Sequence, residues 1–476
     1  MKKYVLLVLV LSFGVPAFAT TFFVSSVLGK DTNSGLTKES PFKTIQKASD
    51  KAYAGDTVNI MDGTYTNSDN APGFMQAQIF LVSHSGKPDA WITFQPLEGH
   101  HPILKIQQAF GIRVMSTPAF HSETLAYIRI QGLKIVGNAP QLSFCDALHQ
   151  TKSCYNPSGE INWTYNGQGI SIGSEGEYAD KGKVTHHIEV LDCEVSDCAS
   201  AGIGAYRADY VTIDRCKVYN NASKTSMGSS GIHIYNPRNS AIIDTKPYHY
   251  LIQRNEVFNN RTEVPFYTGS ACKGYTDGNG IIIDDANNSQ TNKEVFTGNF
   301  LIENNVIYEN GGSGISIFQS NQVTVRNNTM YKNAQLTPDS NKRGEIIVMQ
   351  SHDISIVNNI LYASTKQRGY YKGSNCKNLR VHTNLVFNTN KNSRIKNKIK
   401  KDPLFVQTSD SDKIPVQCTI RGKAIVLEVI PNSKPKDLRL QNNSPAHAIL
   451  KTATMHVDLL GKIKQPNEPF NLGAYQ

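Results

Sequence analysis

The chain has 476 residues, 39% hydrophobic and 18% charged, with a formal net charge of +10. This composition excludes a disordered, collagen-like or low-complexity chain and allows one large elongated domain or a few ordinary ones. The positive balance favours polyanionic partners: acidic polysaccharide, nucleic acid or an anionic membrane.

In chain order, the first feature is a secretory pattern. Lys2 and Lys3 form a positive start, Tyr4 to Val15 an apolar run, and Ala17-Phe18-Ala19 a small-x-small cleavage site. Cleavage after Ala19 is expected, with the mature protein periplasmic or secreted. The apolar run is too short to span a bilayer comfortably, and no later segment is apolar enough to do so. The remainder, 20–476, reads as a single domain: an N-terminal cap over 20–70, regular repeats over 165–390 and a C-terminal extension over 400–476. Eight cysteines in an oxidising compartment predict disulfides. Cys145 and Cys154 bracket a short polar loop and are the expected bridge.

A repeat occupies the middle. "IEVLDCEVSDC", "VTIDRCKVYNN", "YLIQRNEVFNN", "LIENNVIYENG", "VTVRNNTMYKN", "ISIVNNILYAS" and "LRVHTNLVFNT" share the template apolar-x-x-Asn-x-apolar-aromatic. Its central position is Cys193, Cys216, Asn255, Asn305, Asn328, Asn359 and Asn384. Copies recur roughly every one or two dozen residues plus insertions, the range for solenoids. A second element recurs upstream: "GISI" at Gly169, "GIGA" at Gly202, "GIHI" at Gly231, "GIII" at Gly280 and "GISI" at Gly314. Each is a short period-2 strand with apolar residues on one face. Stacked coils lie about 4.8 Å apart, so an Asn repeating at one turn can hydrogen-bond its neighbours above and below. Cys193 and Cys216 share that column, small enough to bury and close enough to bridge if geometry allows.

With the isoleucines turned inward, the outward positions read down the stack as Ser171, Gly204, His233, Ile282 and Ser316. The next outward row is Gly173, Tyr206, Tyr235, Asp284 and Phe318, and the row after it Ser174, Arg207, Asn236, Asp285 and Gln319. This register gathers Arg207, His233, Tyr235, Asp284 and Asp285 in one patch, with Asp277 entering from the preceding turn. Insertions over 237–248 and 262–275 are expected to wall a groove and bring Arg238, Arg261 and Lys273 nearby. In "TDGNGIIIDDANN", Asp277, Asp284 and Asp285 offer three chemistries: an oxygen-rich calcium site, acid/base catalysis, or plain turn capping. Tyr206, Tyr235 and Phe318 suit sugar stacking, or simply cover a sheet. The basic run "KNSRIKNKIKKD" is either a polyanion contact or a solvated loop.

These repeats resemble right-handed parallel β-helix proteins of the pectate lyase-like superfamily. "GKDTNSGLTKESPFKTIQKASDKAYAGDTVNIMDGTY" is similar to their N-terminal cap, where an amphipathic helix, here about Phe42 to Ala54, plugs the stack, and "DPLFV", "NSPAHAI" and "NLGAYQ" are similar to their C-terminal features. The resemblance implies an all-β solenoid with a capping helix. It also implies uronic-acid polysaccharide as substrate and β-elimination as the reaction. On that scheme Asp277, Asp284 and Asp285 hold calcium, Arg207 or Arg238 pairs the substrate carboxylate, and His233, Tyr235 or Lys273 is the base. Tyr206, Arg238, Asn236 and Phe318 contact the sugar chain. The sequence departs from the calcium-dependent pectate lyases at one point: Ile282 stands where their strand carries a catalytic lysine. The aspartate spacing and missing companion motifs also argue against the polygalacturonase scheme. A glycan-binding or adhesive β-helix, a glycoside hydrolase and a uronate epimerase are the rival readings. No nucleic-acid module is recognisable, and a monomer is expected.

Overall fold

The computed structural model describes residues 19–475, apart from 68–77, 120–122, 337–342, 390–394, 396–397, 448–449, 452–455, 466–468 and single positions 243, 366, 421, 432 and 435. The secretory segment up to residue 18 and half of the basic run from Lys391 to Asp402 lie outside the described residues.

Three parallel sheets of 11, 9 and 10 strands wind into a solenoid, each strand pairing with the equivalent strand of the next coil. The inward side chains form one continuous column. Ile112, Ile170, Ile203, Ile232, Ile281, Ile315 and Ile346 are all fully buried in the same cluster as Val24 at one end and Tyr370 at the other. A coil cannot bury this face alone, so stacking is what stabilises each repeat.

The asparagine column forms as expected. Asn255 Nδ2 donates to Asn305 Oδ1 at 2.9 Å, Asn305 to Asn328 at 2.9 Å, Asn328 to Asn359 at 3.0 Å and Asn359 to Asn384 at 3.0 Å. Each amide also donates to a main-chain carbonyl of the coil behind it, as Asn305 does to Ile252 at 2.9 Å. Cys193 and Cys216 occupy the first two rungs as free, buried thiols. Cys216 is tied to the column through its N–H, which donates to Asn255 Oδ1 at 2.8 Å. A second, parallel ladder runs five positions later: Asn221, Asn260, Asn310 and Asn333, ending on the buried Glu345.

The expected N-terminal helix is only one turn, α1 (Ile45–Ser49), capped by Thr44, whose hydroxyl accepts from the Lys47 N–H. Past its end, Asp56 captures the Tyr53 N–H at 2.8 Å, a donor that a longer helix would use, and its other oxygen holds the Thr20 N–H at 2.7 Å. Ile45 and Ala48 join the core.

The predicted Cys145–Cys154 bridge does not form. Cys145 pairs with Cys418 and Cys154 with Cys272, at Cα separations of 5.3 and 5.4 Å. Both partners are remote in sequence. Cys145 lies on α2 (Phe144–His149), which packs with Tyr165 and Val264 against Cys418 and Ile420 of the C-terminal hairpin. The rest of the C-terminal extension covers the outer face of the ten-stranded sheet, Leu438, Ala446 and Leu472 packing on Phe258, Tyr308 and Tyr331.

Candidate active site

The nine-stranded sheet carries the site. Its central strands are β1 (Phe110–Ser116), β2 (Gln168–Ser174), β3 (Ile203–Tyr206), β4 (Ile232–Tyr235), β5 (Ile281–Asp284), β6 (Ile315–Phe318) and β7 (Gly344–Met349). Ser171, Gly204, His233, Ile282 and Ser316 pair in one row and Gly173, Tyr206, Tyr235, Asp284 and Phe318 in the next, the register read from the sequence.

Over this face lies a cleft of about 830 Å³ that runs from Phe110 and Arg113 on β1 to Ile347 and Met349 on β7. Its walls are the insertions. Trp163 and Asn166 come from the segment before β2, Met227 and Gly228 from that before β4, and Phe266, Lys273, Thr276 and Asp277 from that before β5. The Cys154–Cys272 disulfide ties two of these excursions together beside Lys273, which projects from a two-stranded hairpin (Phe266–Tyr267 with Cys272–Gly274). Tyr206 folds back over Gly204: a Cβ there would lie 2.4 Å from the tyrosine ring. Glycine at 204 is therefore what lets the ring lie flat against the sheet.

Of the predicted site residues, Tyr206, Arg207, His233, Tyr235, Lys273, Asp277, Asp284 and Phe318 line this one cleft. His233 is 7% exposed, and neither ring nitrogen has a hydrogen-bond partner. Burial lowers its pKa from 6.5 to about 4, so the imidazole is neutral at neutral pH. Arg207 is fixed by its Nε, which donates to the Ser174 carbonyl at 2.9 Å. Asp284, diagonal to His233 on the neighbouring strand, sits roughly 8 Å away between Cα atoms. Desolvation raises its pKa well above the ordinary carboxylate range, and the charges of Asp277 and Asp285 raise it further. Its Oδ1 accepts from Gln290 Nε2 at 3.1 Å. Asp277 is likewise pushed up by desolvation, partly offset by the Thr276 hydroxyl, which donates to it at 2.7 Å.

Asn236, Arg238 and Asp285 are not on the cleft. Arg207, Asn236, Asp285, Gln319 and Gln350 all sit at the corner after their strands with φ between 46° and 53°. There the chain leaves the sheet, so the strand alternation no longer decides where a side chain goes. The long Arg207 and Gln319 reach back to the cleft, whereas the short Asn236 and Asp285 are fully buried in the corner. Asp285 Oδ1 accepts from the N–H and hydroxyl of Ser289 at 2.8 and 2.9 Å, and Oδ2 from Asn236 Nδ2 at 3.1 Å and the Gln290 N–H at 3.2 Å. Arg238 is buried in the same network, donating to Asn288 and facing Asp180 at 3.9 Å. The expected calcium set is therefore broken: Asp285 spends both oxygens on its turn. Among the described residues no group of three or more His, Cys, Asp or Glu is arranged to hold a metal ion.

The sequence reading missed several cleft residues. Arg113 belongs to Gly111-Ile112-Arg113-Val114, a further copy of the GI-x-apolar strand, and pairs with Ser171. Trp163, Phe266 and Arg343 come from segments between the repeat strands that carry no repeat signal.

Residues 160–335 match the family described as right handed beta helix region, and 27–116 a family described only as a protein of unknown function (DUF1565). The chain is similar to the solved structure of the pectate lyase Pel9A, with a TM-score of 0.50, 16% identity and 96% of each chain covered. It is also similar to a rhamnogalacturonan lyase (TM-score 0.38, 14% identity, 82% of this chain and 91% of that one). A third similar structure is the mannuronan C-5 epimerase AlgE6 A-module of Azotobacter vinelandii (TM-score 0.35, 12% identity, 73% and 90% covered). Among curated proteins it is 35% identical to the uncharacterized protein YwoF of Bacillus subtilis (strain 168) over 107 residues, 22% of this chain and 20% of that protein. Among the described residues no helix is long and apolar enough to cross a membrane.

Proposed function

Since the chain folds as a right-handed parallel β-helix, we propose that it is a secreted enzyme that cleaves acidic polysaccharide by metal-independent β-elimination. One pairing carries this reading: a neutral imidazole without a hydrogen-bond partner, His233, stands on the strand next to that of Asp284, a carboxyl whose surroundings favour its protonated form. An acid and a base held in opposite protonation states on one cleft wall are the equipment for moving two protons at neutral pH. The long cleft suits a sugar chain, and Arg113, Arg207, Lys273 and Arg343 suit its carboxylates. The secretory pattern at the N-terminus and the two disulfides support export.

Arg207 pairs with the uronate carboxylate and stabilises the enolate-like intermediate. The bound carboxylate also raises the basicity of His233, which takes the C5 proton. The C5–H electron pair forms the C4–C5 double bond, the C4–O4 bond breaks, and Asp284 protonates the departing oxygen. The products are an unsaturated uronate and a new reducing end, and solvent returns the protons. Tyr206, Tyr235 and Phe318 support the sugar faces. Lys273 adds positive charge at the wall.

A second reading rests on Asp277. It shares the cleft with Asp284 and its charge raises the Asp284 pKa, so the two carboxyls could instead hydrolyse a glycosidic bond, Asp284 as acid and Asp277 as base or nucleophile. The test is to incubate the protein with polygalacturonate, alginate and glycosaminoglycans in the presence of chelator. Ultraviolet absorbance of unsaturated uronate and new reducing ends are read in parallel. The elimination reading expects both to rise together, and His233→Gln to abolish both. Reducing ends without absorbance would establish hydrolysis. Binding with neither signal would leave a glycan-binding β-helix.

A further inference from the structure

We propose that Gln290 is a positioning residue that aims Asp284 into the cleft, and that Asp285 serves the site by building the turn that delivers Gln290. This rests on the reading of Asp284 as the proton donor. Gln290 Nε2 donates to Asp284 Oδ1 at 3.1 Å and to Gln319 Oε1 at 2.8 Å, and Gln319 Nε2 donates to Gln350 Oε1 at 2.8 Å. The amides thus chain across the corners after β5, β6 and β7. With Oδ1 occupied by an N–H, the proton of Asp284 belongs on Oδ2, which makes no hydrogen bond with the described chain and is left for the leaving oxygen of a substrate. Gln290 itself is exposed, and a free glutamine at such a position samples many rotamers. Its backbone is what is held: the Gln290 N–H reaches Asp285 Oδ2 at 3.2 Å, and the Ser289 N–H reaches Oδ1 at 2.8 Å. Asp285 is in turn locked by Asn236 at 3.1 Å. The buried network that removes Asp285, Asn236 and Arg238 from the cleft therefore acts on the cleft at one remove.

The groups around Asp284 are Asp277 from the preceding turn, Asp285 next in sequence, Tyr235 on β4 and Phe318 on β6. Among the described residues only Gln290 donates a hydrogen bond to the carboxylate, and that bond lowers the Asp284 pKa. Removing it raises the pKa further. Activity that needs the protonated acid then persists to higher pH, although the misaimed carboxyl transfers its proton more slowly.

The test is Gln290→Met in the full chain, a change of similar length at an exposed position. The expected result is a fall in kcat of about tenfold, KM within twofold, and an alkaline limb of the pH–rate profile displaced upward. Asp285→Asn, checked for folding by circular dichroism, should likewise lower kcat, but its lost charge pulls the alkaline limb back down, so the limb is read in Gln290→Met alone. A kcat loss with an unmoved alkaline limb, or no loss, would overturn the proposal. Infrared spectroscopy separates its failure from that of the parent reading. A protonated-carboxyl band lost in Asp284→Asn should rise in frequency in Gln290→Met, because its carbonyl loses a donor. Absence of that band from the native protein at neutral pH would sink the donor role of Asp284 itself. A band that Gln290→Met does not shift would sink only the positioning role of Gln290.

Discussion

The asparagine ladders and the cleft face belong to the same coils and treat polar groups in opposite ways. In the ladders, each interior rung donates and accepts within the chain: Asn305 alone donates to Asn328 and Ile252 and accepts from Asn255. Across the coil, His233 is also buried but has no hydrogen-bond partner, and Asp284 is desolvated with one oxygen engaged. Buried polar groups left unpaired cost stability. A fold that satisfies one edge of each coil so fully and leaves these groups bare on another marks where a ligand is expected to complete the bonding.

That contrast can be broken from either side. The largest effect is expected in the cleft. Asp284→Asn and His233→Gln should each reduce kcat about a hundredfold or more, while thermal unfolding shows stability equal to or above the native protein. Next is the ladder. Asn305→Leu strands the donors of Asn255 and should cost roughly 2–4 kcal/mol in chemical denaturation, with kinetics of the remaining folded protein nearly unchanged. If Asn305→Leu abolished activity without loss of stability, the division between the two edges would be wrong.

A smaller and pH-dependent effect sharpens the comparison where the second ladder meets the cleft sheet. Glu345 closes that ladder, accepting from the Asn333 N–H at 3.1 Å and from its side-chain amide, and burial raises its pKa from 4.5 to about 8. The folded state therefore binds this proton more tightly than the unfolded one. Its contribution is fully present below about pH 4.5 and is lost as pH rises through about 8. Glu345→Gln, whose single carbonyl can accept both bonds as an Asn rung does, should flatten that decline by a few kcal/mol, measured as denaturation midpoints at acid and alkaline pH. The mildest effect is expected from Cys154→Ser with Cys272→Ser. Loosening the wall that bears Lys273 should raise KM a few-fold with little change in kcat, the signature of lost uniform binding. Equal losses in both parameters would instead place that wall in the transition state.

What the sequence made legible follows from periodicity. The GI-x-I strands and the first Asn column have short, strict patterns, so the cleft rows from Ser171 to Ser316 and from Gly173 to Phe318 were readable residue by residue. The corner row was not, because residues with positive φ such as Asn236 and Asp285 leave the strand, and side-chain length decides their destination. The disulfides were out of reach for a different reason: Cys145 and Cys418 are 273 residues apart, brought together by a C-terminal hairpin that obeys no repeat. The second ladder carried a signal, the Asn five residues after the first in three successive coils at 260, 310 and 333.

The central claim is that this cleft holds an imidazole neutral beside a protonated carboxyl. The most direct measurement is the titration of His233 by nitrogen NMR in histidine-labelled protein, its signal assigned by loss in His233→Gln. With a folded pKa near 4 against 6.5 unfolded, the ring should remain neutral as pH falls through 6.5, and protonate only near pH 4, with stability lost over the same window. A ring that is already protonated at pH 7 would contradict the account, because it could not accept the substrate proton.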